Sequence, residues 1–379
     1  MKKKFLSVLL TLVMVVTVLP NKGLIVKAAE VKANIGGLDY ILNDETSKAN
    51  IEGVSGELPE KLTIPATVNW NDKTFEVEGI NERAFEGNQN IRKVEISNGI
   101  IEIGEGAFFN SSLEGITFPN SVNKIGAQTF FMCEKLEDVN LPNNDEYKVI
   151  SSALFLLCTS LKDITIPDNV TSIESAAFSR TNLKDVKVPD SVEKIENDAF
   201  SHCESLETIS LSKNPNYTCI RENTFSNCTS LKNIEIPNNI KEIENGVFSY
   251  SGLISIIIPN SVTRIGHAAF SNCENLVTVI LPVNSEYNCI EPFMFWGCKS
   301  LKNVEIPENV SRISENAFTN PRILFAFPHG IETVTLPVAP EYKCIEEPTY
   351  KPTYEFCMSL SAVEIPEKIG IGKGAFTKD

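Results

Sequence analysis

The chain has 379 residues, with 34 Lys and Arg against 49 Asp and Glu and a formal net charge of −15 at pH 7. That balance argues against nucleic acid or an anionic membrane as partner, because both need a basic surface. Its plain use is solubility for a chain with much surface. The length could hold two or three globular domains, but the periodicity described below argues for one elongated domain after a leader.

Residues 1–28 read as a secretory signal peptide. Lys2, Lys3 and Lys4 precede an apolar stretch over residues 5–19, and Val26-Lys27-Ala28 offers small residues for cleavage. The stretch is shorter than the ~20 residues that span a bilayer, and no second one follows, so no transmembrane segment is expected after cleavage. Cleavage after Ala28 removes five lysines, taking 34 minus 49 to 29 minus 49, or −20. Residues 29–79 carry Leu38-Asp-Tyr-Ile-Leu, Lys48-Ala-Asn-Ile-Glu-Gly-Val and Leu62-Thr-Ile-Pro, separated by Asp, Asn and Gly. Short strands in that setting predict a small N-terminal antiparallel β cap over the first layer of the array that follows.

Residues 80–379 are a repeat array. Phenylalanine closes the same phrase at Phe85, Phe108, Phe130, Phe155, Phe178, Phe200, Phe225, Phe248, Phe270, Phe295 and Phe318, in steps of 23, 22 and 25 taken cyclically. The cycle sums to 70, so three repeats make one larger unit. Each repeat holds two phrases, such as Leu161-x-x-Ile164-x-Ile166-Pro167 and Val170-x-x-Ile173-x-x-x-Ala177-Phe178. The first has the spacing of a short parallel strand with its apolar side chains inward, ended by a proline that cannot donate to a ladder. One repeat cannot bury its own apolar face, whereas about 12 stacked turns of 22–25 residues make a continuous core, roughly 60 Å long at the ~4.8 Å strand spacing. Residues 319–356 disturb the rhythm with Asn320-Pro321-Arg322 and an insertion around Pro348 and Pro352, after which the strand phrase returns at Leu360.

The cysteines follow the repeat. Cys133, Cys203 and Cys273 are each one full cycle apart, as are Cys158, Cys228 and Cys298, and all stand at the third position after the repeat phenylalanine. A stacked ladder of buried thiols accounts for them. Disulfides pairing 133 with 158, 203 with 228 and 273 with 298 are the alternative, since export allows them but parallel Cβ vectors fit their geometry badly. Cys219, Cys289 and Cys344 stand in a column where other repeats carry Ser172, Lys194 or Arg264, so that column is expected to face outward with the more reactive or paired cysteines.

The phrases Cys203-x-x-Leu206-x-x-Ile209-x-Leu211 and Ile173-x-x-x-Ala177-Phe178 resemble the leucine-rich repeat of bacterial BspA-like surface proteins, over about residues 79–376. The resemblance implies a mainly β leucine-rich repeat solenoid that is secreted, with or without attachment to the cell surface. It implies use in adhesion, bound to protein or glycan on host or bacterial surfaces, with no catalytic residues to carry over.

The residues themselves agree. Histidines number only three, His202, His267 and His329, and no phosphate loop, His-Glu-x-x-His helix or Gly-x-Ser-x-Gly elbow occurs. No enzyme, metal or cofactor is therefore expected, and His202 beside Cys203 is not read as a dyad, because that cysteine belongs to the core ladder. A binding surface has more support. The outward strand column runs Glu95, Thr117, Asn140, Thr165, Lys187, Ser210, Glu235, Ile257, Ile280, Glu305, Thr335 and Glu364, so two isoleucines interrupt a polar row. Ile254 and Val277 precede them in the same strands, and these four aliphatics are the candidate contact, against drift or loop packing as the other reading. Phe109, Phe131, Leu156 and Trp296 form a second apolar column, read as packing, where other repeats have serine. Tyr147, Tyr217 and Tyr287 recur in the longest repeat and are expected to pin its loop, an exposed row for glycan or protein being the alternative. Function is thus expected to be adhesin-like binding, with an envelope scaffold for the producer's own wall or surface proteins as the alternative.

Overall fold

The computed structural model describes residues 30–301 without interruption, together with residues 16–17, 25–26, 303–307, 310, 312–314, 317–318, 333–335 and 362–364. Most of the expected leader and of the irregular region 319–356, with Cys344 and His329, lies outside the described residues. Among the described residues every regular element is a strand, arranged as a solenoid of about ten turns. Two compact units, Met1–Tyr147 and Lys148–Asp379, divide the chain.

In the first unit, Glu30–Ile35, Leu38–Asn43 and Lys48–Val54 form an antiparallel meander. Thr67–Trp70 and Lys73–Ile80 pair antiparallel across Asn71 and Asp72, both left-handed at φ 47° and 62°, as a two-residue hairpin turn requires. This is the antiparallel cap. Two of its members also continue in parallel. Lys73–Ile80 pairs with Lys48–Val54 on one side and Glu102–Ile103 on the other, and Lys61–Ile64 pairs with Lys93–Ile96. Leu62-Thr-Ile-Pro65 is thus the first repeat strand, separated from its phenylalanine phrase Ile80-x-x-x-Ala84-Phe85 by the hairpin, and the ladder begins with it.

Three walls make each turn of the second unit. The first is the strand phrase, with Asp185–Lys187 paired to Thr208–Ser210, then Ser255–Ile257 to Thr278–Ile280. The second is a two-residue strand ending at the second phrase's isoleucine. It groups in threes: Val149–Ile150, Ser172–Ile173 and Lys194–Ile195, then Cys219–Ile220, Glu242–Ile243 and Arg264–Ile265. The third wall was not legible in the sequence. Its amides bond alternately along the chain and across to the next turn: Ala176, Phe178 and Arg180 donate to Asn197, Ala199 and Ser201, while Ala177, Ser179 and Thr181 donate three residues back. That alternation needs left-handed backbone at two positions flanking each phenylalanine, seen at Ala176 (φ 55°) and Arg180 (φ 58°) and again at Asn223, Asn227, Gly246 and Tyr250.

One strand expectation fails locally. Residues 161–167 and 231–237 carry the phrase and bury Leu161, Ile166, Leu231 and Ile236, yet form no strand. Burial of the apolar side is retained, and the length of the preceding step does not account for the missing strand, because Asn303–Glu305 follows the same longest step and is a paired strand.

The core is a ring column. In the second unit successive phenylalanines from Phe155 to Phe318 stack at 5.2–5.9 Å between centroids and within 15° of parallel. In the first, Phe85, Phe108 and Phe130 stack at 4.9 and 5.8 Å. Beside the rings, all eight described cysteines stand as thiols, with no disulfide among them. Cys203, Cys228, Cys273 and Cys298 donate to the carbonyl of the phenylalanine one turn earlier, at 3.1, 3.2, 2.9 and 3.1 Å, and Cys133 does so in the first unit at 3.0 Å. The ladder is therefore hydrogen-bonded as well as apolar.

Candidate binding surface

Ile254, Ile257, Val277 and Ile280 all lie on the first wall of the second unit, where strand alternation turns Ile256 and Val279 inward and their neighbours out. Ile257 stands directly opposite Ile280 in the parallel register. The Val277 amide donates to the Ile254 carbonyl at 2.8 Å, which brings the other two together. Exposure is 43% at Ile254, 64% at Ile257, 40% at Val277 and 51% at Ile280.

A fifth member escaped sequence reasoning. Val283 is 64% exposed, and its amide is bonded to Asn260 Oδ1 in the turn that follows Ile257. The signal was available: one and two cycles earlier the position holds Lys213 and Asn143, so Val283 departs from its register as the two isoleucines do from theirs. The five side chains present roughly 400 Å² of aliphatic surface, the scale at which patches on a monomer mark contacts. The preceding turn borders them with exposed Lys232 and Glu235.

The other candidates resolve differently. Tyr147, Tyr217 and Tyr287 are buried, so the exposed-row alternative falls. Their amides close turns on Asn144, Asn214 and Asn284, and the side-chain amides of those asparagines donate to carbonyls of the preceding repeat. Cys219 and Cys289, expected outward and reactive, are half-buried; burial first and Glu244 next push the Cys219 thiol up to about 12. Burial likewise lifts Cys203 to about 11, and its proton is directed at the Phe178 carbonyl rather than at His202. Phe109 packs edge-on against Phe131 at 5.1 Å with Arg83 over its face, as packing predicts. Among the described residues no group of three or more His, Cys, Asp and Glu could hold a metal, and no helix is long and apolar enough to cross a membrane.

A stack of short parallel strands in turns of 22–25 residues defines a leucine-rich-repeat type of solenoid. The model of the BspA type leucine rich repeat region, six copies long, matches residues 78–207, 148–277, 193–324 and 279–379, and the chain belongs to that family. A leucine rich cell surface protein of Faecalibacterium prausnitzii A2-165 is similar at 28% identity, over 80% of this chain and 88% of that one, with a TM-score of 0.53. A leucine-rich repeat protein of Bacteroides ovatus ATCC 8483, at 24% identity over 80% and 94% of the two chains and a TM-score of 0.50, shares the fold. No curated protein matches the chain.

Proposed function

We propose that the protein is secreted and non-catalytic, and that it acts as an adhesin-like module binding a protein on a host or bacterial surface. The observation that carries this reading is the aliphatic patch of Ile254, Ile257, Val277 and Ile280 on the sheet wall, interrupting an otherwise polar column. Membership of a bacterial surface-protein family supports it, as does the basic-then-apolar leader over residues 1–28. Apolar anchors at the centre of a polar wall are where binding energy concentrates.

The test is a pull-down with the chain from residue 29 onward, using host extracellular matrix, host cell lysate and bacterial envelope as separate baits. Capture of a host protein, lost in the Ile257→Asp, Ile280→Asp double variant with its thermal melt unchanged, is the expected result. Capture from the producer's envelope alone moves the protein to the scaffold class. Binding that survives the double substitution removes the patch from the contact.

A further inference from the structure

Three aromatic residues depart from the three-turn register at one place on the third wall, the turn wall. Where Phe293 stands, the equivalent positions hold Ala153 and Asn223; where Trp296 stands, they hold Leu156 and Ser226; where His267 stands, they hold Asn197 and Ala127. The fold brings the three together. Phe293 lies 5.3 Å from His267 and 6.3 Å from Trp296, ring centre to ring centre. All three keep solvent access, His267 as an exposed residue and the other two as half-buried ones.

Phe293 is left-handed at φ 56°, as that position is in the other described turns, where Arg83, Ala176, Asn223 and Gly246 stand, and it is the one ring among its occupants. Over the two preceding turns the same two positions carry Gly246 with Ser249 and Ala268 with Ser271, so the rings rise at the end of a run of small residues. Those turns are hydrogen-bonded in series, Gly246 N–H to the His267 carbonyl at 3.0 Å and Ala268 N–H to the Pro292 carbonyl at 3.1 Å. Two steps of about 4.8 Å give the small-residue run a length of ~10 Å.

We propose that this cluster is a second binding site, distinct from the aliphatic patch, and that it takes the apolar face of a neutral glycan. Aromatic rings differ from the aliphatic patch in offering π faces to polarised C–H groups, together with polar edges. Among the described residues the Trp296 indole N–H makes no hydrogen bond, and His267 is exposed, so each offers a polar edge to sugar hydroxyls. The net charge of −15 disfavours anionic glycans.

The chain holds two tryptophans, Trp70 and Trp296, so Trp70→Phe leaves Trp296 as sole reporter. Fluorescence titration of that variant with chitotetraose, cellotetraose and galactotetraose is expected to show a saturable shift with at least one, and none with a heparin tetrasaccharide. Calorimetry with the same sugar on Phe293→Asn, Trp296→Ser, which restores the residues of the preceding unit, is expected to read at least about tenfold weaker binding. His267→Asn gives a milder variant should that one fold poorly, and it weakens binding in the same direction. Ile257→Asp, Ile280→Asp leaves sugar binding unchanged, so failure of the patch and failure of this site are separately visible. Absence of a shift with every neutral sugar, full affinity in both turn-wall variants, or saturation by a polyproline peptide alone would overturn the proposal.

Discussion

Replacing Cys228 decides what the cysteine ladder is for. The side chain is wholly buried, and its thiol donates to the Phe200 carbonyl at 3.2 Å, an acceptor whose other donor, the Cys203 amide, is 3.4 Å away. Equivalent positions hold Ser111, Thr181 and Ser251, all small and all able to donate. Cys228→Ser keeps the donor and loses only the bulk of sulfur, a cost of about 0.5–1 kcal/mol. Cys228→Ala leaves a buried carbonyl short of its partner, at about 1–3 kcal/mol. Cys228→Val loses the donor and adds a branch to a filled site, which brings about 1–3 kcal/mol of overpacking on top. The expected order of stability is therefore serine, alanine, valine. A small apolar filler would give the reverse, since serine alone would then bury an idle hydroxyl. Urea denaturation followed by circular dichroism, comparing midpoints at constant slope, reads the order directly. Valine or alanine near wild type with serine the least stable would sink the hydrogen-bonded ladder.

The same thiols set an alkaline limit. Burial holds Cys203 at about 11 and Cys273 at about 12, above the ordinary thiol value of 9.0, so the folded state binds protons that the unfolded state releases. Their contribution is complete below that value and is lost as pH rises through 11 to 12; the urea midpoint should be level near neutrality and fall above about pH 9, less steeply in Cys203→Ser, Cys273→Ser. Native protein should leave its described cysteines unalkylated by iodoacetamide at neutral pH and yield them in urea, as mass spectrometry would count; rapid native labelling of Cys219 would contradict its half-buried, strongly protonated state. At Gly252 a Cβ would overlap the Thr229 carbonyl oxygen, part of a backbone that cannot yield, so Gly252→Ala should lower stability by at least about 2 kcal/mol in the same denaturation assay.

The ring column, the strand phrase and the thiol ladder were legible because each is a side-chain requirement repeated at fixed spacing: a buried Phe225 or Leu231 must be apolar in every turn. The turn wall was not, because its demand is on the backbone. Left-handed positions accept Ala176, Arg180, Asn223 and Tyr250 alike, and a varied column carries no apolar signal. The missing strands at 161–167 and 231–237 were hidden for the opposite reason: their side chains meet the same burial rule as those of the turns that do form strands. At the candidate patch, Ile257 and Ile280 stood out against a polar column, whereas Val283 lies past a proline, in a loop where apolarity shows only against Lys213 and Asn143.

The grouping of the second wall in threes has a consequence for how such arrays change length. A single repeat removed from the second unit would set the longest step beside the wrong neighbour and put its long loop where a paired strand belongs. Removing one whole cycle, from Phe178 to just before Phe248, instead joins like to like, with the same step on either side of the seam. The protein is thus built to lengthen or shorten in quanta of three turns. Each quantum brings its own stretch of strand wall, so new binding surface arrives in blocks of three turns rather than one.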